Sequence, residues 1–410
     1  MTTALIAFSG GLDTSFLTRY CREAYGVTRV ITCTVNTGGF SAAEAQQIAA
    51  RSKELGADQH VYREAAQSYY DKVIKYLIFG NVSRDGYPLC VGSERMVIAE
   101  ACIEACKEFS ADLFIHGSTG AGNDQYRFDV AAQVLGQGTI MCRAPIREFN
   151  ITRSFATQYL REQGIPVSEK EKNYSYNPGL WGVSIGGKET LRSDGLLPDE
   201  AWYSKPVSTM HEMELVLSFN QGAVEKLSYR GECVTGPVAI IQRLTQIGNA
   251  FGLGRHYHVG TSVPGKKGRL AYESPAADII YEAHRTLEKV VLTQAQVSGK
   301  KPLADAFGQM IHEAKMFDPF VDDLRAFLES TQRRVTGSCT VRLIPNAIKS
   351  VTVESPFDLL AVKGSTYGEV STAYDGAHAE GSALLHGYEQ RLYHSLGGAA
   401  TVTGDKPLAA

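Results

Sequence analysis

The stretch Ala4-Leu5-Ile6-Ala7-Phe8-Ser9-Gly10-Gly11-Leu12-Asp13-Thr14-Ser15 packs a strand, a glycine turn and a helix start into twelve residues. Ala4 to Phe8 is apolar and reads as a buried strand, and a helical pattern follows the turn to Tyr25. Such a turn brings unpaired helix amides and the positive end of the helix dipole to one point, which suits an anion. Gly10 and Gly11 let the backbone approach it closely, while Ser9, Thr14 and Ser15 offer hydroxyls. Asp13 is the odd member. A carboxylate beside phosphate repels it unless a cation intervenes, so Asp13 is assigned to Mg²⁺. No GxxxxGK[ST] string occurs, which removes the Walker type of phosphate loop.

Outward from this turn, strand and helix patterns alternate to about residue 165. Val30 to Val35, His60 to Tyr62, Leu113 to His116 and Thr139 to Arg143 read as strands. Ser41 and Glu44 form a capping box for a helix that stops at Gly56, and Thr152 caps another that Gly164 and Pro166 end. Ser93 to Phe109 is helical, with Val97, Ile98, Ala101, Cys102 and Ala105 on one face. The alternation predicts an α/β domain with a doubly wound parallel sheet. Beyond residue 170, NYSYNPGLWGVSIGGKE and SVPGKKGR read as loops between β-rich runs at 213–219, 223–229, 269–273 and 338–353. Amphipathic segments cover 276–296 and 303–331, which predicts a second, α+β domain. Gly381 to Leu396 is a helical pattern in a Gly/Ala-rich tail, read as an arm packing on another subunit. The expected division is 1–165, 166–365 and 366–410.

Composition narrows the classes. Forty-one lysines and arginines face 44 acids, a net charge of −3, so no broad basic field invites nucleic acid. No apolar run approaches the ~18 residues of a membrane helix. The start, MTTALIAFSGG, lacks a basic region and reads as a strand rather than a signal peptide. Eight cysteines, none in a CxxC pair, read as buried thiols in a reducing cytosol, not as a disulfide or zinc framework. His256-x-His258 lacks a third ligand at suitable spacing. The reading is a cytoplasmic protein with no membrane or nucleic-acid partner.

SGGLDTS resembles the loop of the PP-loop ATP pyrophosphatases, which cleave ATP between the α- and β-phosphates. A second motif narrows the resemblance: His116-Gly117-Ser118-Thr119-Gly120-Ala121-Gly122-Asn123-Asp124-Gln125-Tyr126-Arg127-Phe128, at the end of a predicted strand. Taken alone, this is a flexible loop with a solvated Asp/Arg pair. With Tyr174-Ser175-Tyr176-Asn177-Pro178-Gly179-Leu180-Trp181-Gly182-Val183-Ser184, Gly252-Leu253-Gly254-Arg255 and Tyr272-Glu273-Ser274-Pro275 following in order, the chain resembles the argininosuccinate synthases to about residue 360.

That resemblance implies an ATP-dependent ligase joining citrulline and aspartate through a citrullyl-adenylate, and a homotetramer. Carried over by position, Ala7, Phe8, Ser9, Gly10, Gly11, Leu12, Asp13, Thr14, Ser15 and Gly117 would hold ATP, with Val35 beside the adenine. Thr119, Asn123 and Asp124 would bind aspartate. Asn123, Arg127, Tyr87, Ser175, Ser184 and Tyr272 would reach citrulline. Ser9, Asp13, Asp124 and Arg127 are the expected catalytic set. The chain departs from the family pattern at Gly92, where a hydroxyl is usual, with Ser93 as a substitute one position on. It departs again at Gly260, where a glutamate is expected to meet an α-ammonium. Either Glu94 or another acid replaces that charge, or the acceptor is an Nα-acylated citrulline; the intact loop motifs favour the first. A tRNA-thiolating enzyme is the rival class, and scattered cysteines and a slight negative charge argue against it.

Overall fold

The structure is a computed structural model describing residues 2–120, 122–167, 174–207, 211–362 and 373–396. The alternating first part forms β1 (Thr3–Ala7), β2 (Arg29–Asn36), β3 (Gln59–Glu64), β4 (Leu113–Ile115) and β5 (Met141–Arg143). All pair in parallel, in the order β3-β2-β1-β4-β5, with Leu5 facing Ile31 on one side and Phe114 on the other. The chain winds from β1 outward to β3, then returns to lay β4 on the opposite edge of β1. This reversal leaves a crevice past the carboxyl ends of β1 and β4, the place where open α/β sheets bind ligands.

Local chemistry sets the helix ends. The Ser41–Glu44 box is formed, each partner bonding the other's backbone, and Thr152 Oγ1 accepts from Phe155 N at 3.2 Å. The helix expected from Ser93 begins at Arg95, after a turn in which Leu89 takes φ +57°. A helical rod that the alternation did not mark runs through Ala66–Tyr69, a π stretch at Tyr70–Ile74, and Lys75–Gly80.

The later part contributes β6 (Ser175–Gly179), β7 (Gly182–Gly186), β8 (Met213–Asn220), β9 (Ala223–Tyr229), β10 (Glu232–Thr235), β11 (Arg255–Thr261), β12 (Lys267–Glu273), β13 (Gly337–Ile344) and β14 (Ala347–Glu354). They form two antiparallel sheets, β10-β9-β8-β13-β14 and β11-β12-β7-β6. Within NYSYNPGLWGVSIGGKE, read as a loop, Ser175 to Gly186 form the β6–β7 hairpin. Its Pro178 is tolerated because β6 lies at a sheet edge. Gly182 holds φ +145°, and a Cβ there would lie 2.5 Å from the Glu273 carbonyl oxygen. The 303–331 segment is two helices, Gln294–His312 and Pro319–Gln332, with Asp318 capping the second through Phe320 N at 2.9 Å.

Chain contacts divide the molecule into compact units Met1–Phe357 and Asp358–Ala410. Within the first, one face of the parallel sheet (Leu5, Ile31, Phe114) and the antiparallel β8 (Leu217, Phe219) belong to one continuous core. The opposite face packs Ile6, Phe16, Leu17 and Leu160 separately. The second unit contains helices Gly376–His386 and Tyr388–Ser395, broken at Gly387, with no buried residue. Among the described residues, no helix is long and apolar enough to cross a membrane.

Candidate active site

The helix Leu12–Tyr25 starts at Gly11 with no side chain capping it, so its first amides remain open to a ligand. Ser15 Oγ donates to the Gly10 carbonyl and Thr14 Oγ1 to the Gly11 carbonyl, both at 3.3 Å; Ser9 Oγ lies 3.4 Å from Thr14 Oγ1. These contacts are long, and a phosphate oxygen would displace them readily. Phe8 is tied to β2 through its amide (2.8 Å to Cys33 O) and its carbonyl (2.7 Å from Thr34 Oγ1), close to buried Val35. A cavity of about 530 Å³ opens here, its lining including Ser9, Gly10, Ser15, Phe40, Gln47 and Leu160. The Asp13 carboxylate has no hydrogen-bond or ion-pair partner among the described residues. Burial raises its pKa, opposed by the charge of Arg153.

Gly117 follows β4 and meets the first turn directly: a Cβ on it would lie 3.3 Å from Asp13 Cβ. His116, fully buried, fixes the loop from beneath. Its Nε2 is 2.9 Å from Asp129 Oδ1, Arg147 holds that carboxylate at 2.6 Å, and Ser118 N reaches His116 Nδ1 at 3.4 Å. Cys142 lies in the same cluster, but the Arg147 guanidinium already occupies the cation position beside Asp129. Gln125 Nε2 braces the loop through the carbonyls of Gly120 (2.9 Å) and Gly122 (3.0 Å). Helix Asp124–Gly136 then opens with Asp124 in its first turn and Arg127 one turn on.

The sheet β11-β12-β7-β6 supplies a wall. Its register aligns Asn177, Ser184, Tyr272 and His256 across four strands. Tyr87 packs edge-on to Tyr272 and stacks on His258, with ring centroids 4.9 Å apart in both cases. Between wall and loop lies Arg95, which donates to Asp124 (3.3 Å), Glu94 (2.9 Å) and Asn177 (3.1 Å). Arg127 donates to Asp124 Oδ1 at 2.8 Å and to the His312 carbonyl at 3.1 Å. Burial pushes the Asp124 pKa up, but Arg95 and Arg127 outweigh it and hold the carboxyl below its usual range.

The profile of the Arginosuccinate synthase N-terminal HUP domain matches residues 3–166, and that of the Arginosuccinate synthase C-terminal domain matches 174–393. The chain is 32% identical to the argininosuccinate synthase of Methanocaldococcus jannaschii over 95% of its length and 97% of the relative's. It is 34% identical to those of Xanthomonas campestris (95% and 97%) and Archaeoglobus fulgidus (96% and 99%). The chain belongs to the argininosuccinate synthase family.

The residues expected by resemblance to this family fall in distinct places. Ala7 to Ser15, Val35 and Gly117 surround the crevice between β1 and β4, whereas Asp124, Arg127, Tyr87, Ser184 and Tyr272 lie toward the antiparallel wall. Thr119 and Ser175 are exposed, Ser175 on the same strand face as Asn177. Asn123 is engaged, its Oδ1 accepting from Val263 N at 2.8 Å in the β11–β12 turn. Two expectations are corrected. Ser93 cannot replace the hydroxyl missing at Gly92, because it is buried and bonds Leu89 O (2.7 Å) and Tyr69 (2.5 Å). Glu94 offers no free charge to an ammonium, because Thr37 (2.7 Å) and Arg95 already hold it. At Gly92 a Cβ would lie 2.8 Å from Arg127 Nη2, so a side chain there requires the guanidinium to shift. Asn177, Thr37, Arg84, His258 and His312 join the site without having been singled out for it. Asn177 stands in the stretch that carries the family resemblance and His258 in the His-x-His pair; the strand that puts Asn177 on the face of Ser175 appears only in the structure.

Proposed function

We propose that this protein joins citrulline to aspartate with consumption of ATP, releasing AMP and pyrophosphate and forming argininosuccinate for arginine biosynthesis. One observation carries the reading: two glycine loops meet at the reversal of a single parallel sheet, with Gly117 against Asp13. A nucleotide seated there would have its β- and γ-phosphates on the amides and hydroxyls of Ser9 to Ser15, with the adenine beside Val35. The citrulline ureido oxygen attacks the α-phosphorus and the bond to pyrophosphate breaks. The aspartate amine then attacks the ureido carbon and AMP departs. In this reading Thr119, Asn123 and Asp124 hold aspartate, while Asn123, Arg127, Tyr87, Ser175, Ser184 and Tyr272 hold citrulline. The chain contributes positioning and charge neutralisation, and no side chain needs to become a covalent nucleophile.

The unpartnered carboxylate of Asp13 fits a cation. Mg²⁺ carried with ATP would neutralise phosphate charge beside it. Exposed Leu384, Leu385, Tyr388 and Leu392 on the C-terminal helices support assembly with copies of itself, for which we propose a tetramer. Eight unpaired cysteines support a reducing, cytoplasmic setting. The change from parallel to antiparallel sheets supports a functional division at 165, with 366–410 as the assembly arm.

The test is release of pyrophosphate and AMP from purified protein with Mg-ATP, aspartate and citrulline, omitting each in turn. Release should require all three. Asp13→Ala should lower it by ~10²-fold or more with an unchanged circular dichroism spectrum; normal release from that variant would remove Asp13 from the mechanism.

A further inference from the structure

The acceptor end of the site, around Tyr87, is walled by cations and neutral rings. Arg127 lies along Gly92, and its Nε is buried without a hydrogen-bond partner. Arg84 donates to His312 Nε2 at 2.8 Å, which makes that ring an acceptor and therefore neutral. Burial, with Arg127 and Arg84 nearby, pushes the His312 pKa down to about 4. His258 is also depressed, by burial and then by Arg84, and its ring lies flat on Tyr87.

The buried and half-buried carboxylates near this end are occupied. Asp124 serves Arg95 and Arg127, Glu94 serves Arg95 and Thr37, and Asp278 bonds His256 Nε2 at 2.8 Å. Glu273 accepts from Ser204 N at 3.0 Å. Asp85, which acts on His258 only through its charge, is exposed. Gly260 projects nothing, and the space a side chain would enter there holds His258, whose Nε2 would lie 2.5 Å from a Cβ. An ammonium buried here would meet two guanidinium groups, and the one unpaired carboxylate near it among the described residues, Asp85, lies exposed to solvent, an arrangement that disfavours the charged form.

We propose that this end of the site prefers an acceptor whose α-nitrogen is acylated, an Nα-acyl citrulline, over free citrulline, with Gly260 and His258 as the specificity determinants. The inference rests on the ligase reading and changes only the head group of the acceptor. An amide in this position carries no charge, offers its carbonyl to Arg84, and lays a flat face against the Tyr87–His258 stack.

The experiment measures initial rates of AMP release by the full-length protein with Mg-ATP and aspartate, using citrulline, Nα-acetylcitrulline or no acceptor. We expect kcat/KM for the acetylated acceptor to exceed that for citrulline by at least about tenfold. The double variant Gly260→Glu/His258→Ala restores a carboxylate and vacates its space, and should reverse the preference. Should it not fold, His258→Ala alone should reduce the ratio by removing the stacking surface. An equal or higher kcat/KM for citrulline in the unmodified protein overturns the inference and leaves the ligase reading intact. An acyl preference that neither variant moves overturns the assignment to these residues. No release with either acceptor from well-folded protein overturns the ligase reading itself, and the inference with it.

Discussion

Glu94 and Arg95 are neighbours in sequence and partners in space, and they tie the nucleotide side of the site to its antiparallel wall. Burial raises the Glu94 pKa from 4.5 to about 7, outweighing the opposing charge of Arg95 and the bond from Thr37. The sign of the consequence follows from linkage. An unfolded chain releases this proton near pH 4.5, whereas the folded chain keeps it to about 7. Glu94 therefore contributes stability that is fully present below pH 4.5 and lost as pH rises through 7. Urea unfolding of the native protein and Glu94→Gln across that range should show the native protein losing ground to the variant as pH rises. A difference that stays flat would mean Glu94 is ionised throughout. Gly92 gives a second residue-level expectation. A Cβ there lies 2.8 Å from Arg127 Nη2, so Gly92→Ser should displace the guanidinium. Steady-state kinetics should show acceptor kcat/KM falling by up to ~10²-fold while the melting temperature hardly changes.

At the level of elements, a buried polar network holds the rod ending at Gly80 against three later helices, Pro275–Val291, Gln294–His312 and Pro319–Gln332. Lys300 donates to the Phe79 carbonyl at 2.7 Å and pairs with Glu288; Gln332 and Asn81 bond Glu288, and both also bond His284. Lys300→Met would leave the Glu288 carboxylate buried with no cation and should cost about 3–5 kcal/mol, measurable by urea denaturation. Nothing in the sequence announced this network, because its members lie far apart and each alone looks like a surface polar residue. The parallel sheet was legible for the opposite reason: its central strands β2, β1 and β4 are short, largely apolar runs, and its helices carry local caps such as Ser41–Glu44. The β6–β7 hairpin was hidden by its glycines and Pro178, which signal a loop until the edge position is known. The site divides in the same way. Ser9 to Ser15 and Asn123 to Arg127 are contiguous motifs, whereas His258, Arg84 and His312 meet only through tertiary packing.

At the scale of the whole molecule, the unit Met1–Phe357 contains both the crevice and its antiparallel wall, and Asp358–Ala410 forms a compact unit of its own. If the proposed assembly through the C-terminal arm holds, deleting 358–410 should leave a chain that unfolds cooperatively but runs as a single copy, as light scattering on a sizing column would record. A truncated protein of unchanged assembly would place the subunit contacts elsewhere. The core shared by Leu5, Ile31 and Phe114 with Leu217 and Phe219 has a different consequence. Each half supplies part of the solvent shield of the other, so they are not interchangeable building blocks. A chimera taking residues 1–165 from one relative and the remainder from another would bring together two surfaces shaped for different partners, and close packing tolerates such mismatches poorly. Recombination within this family is therefore constrained to exchange residues 1–165 and the remainder as a pair.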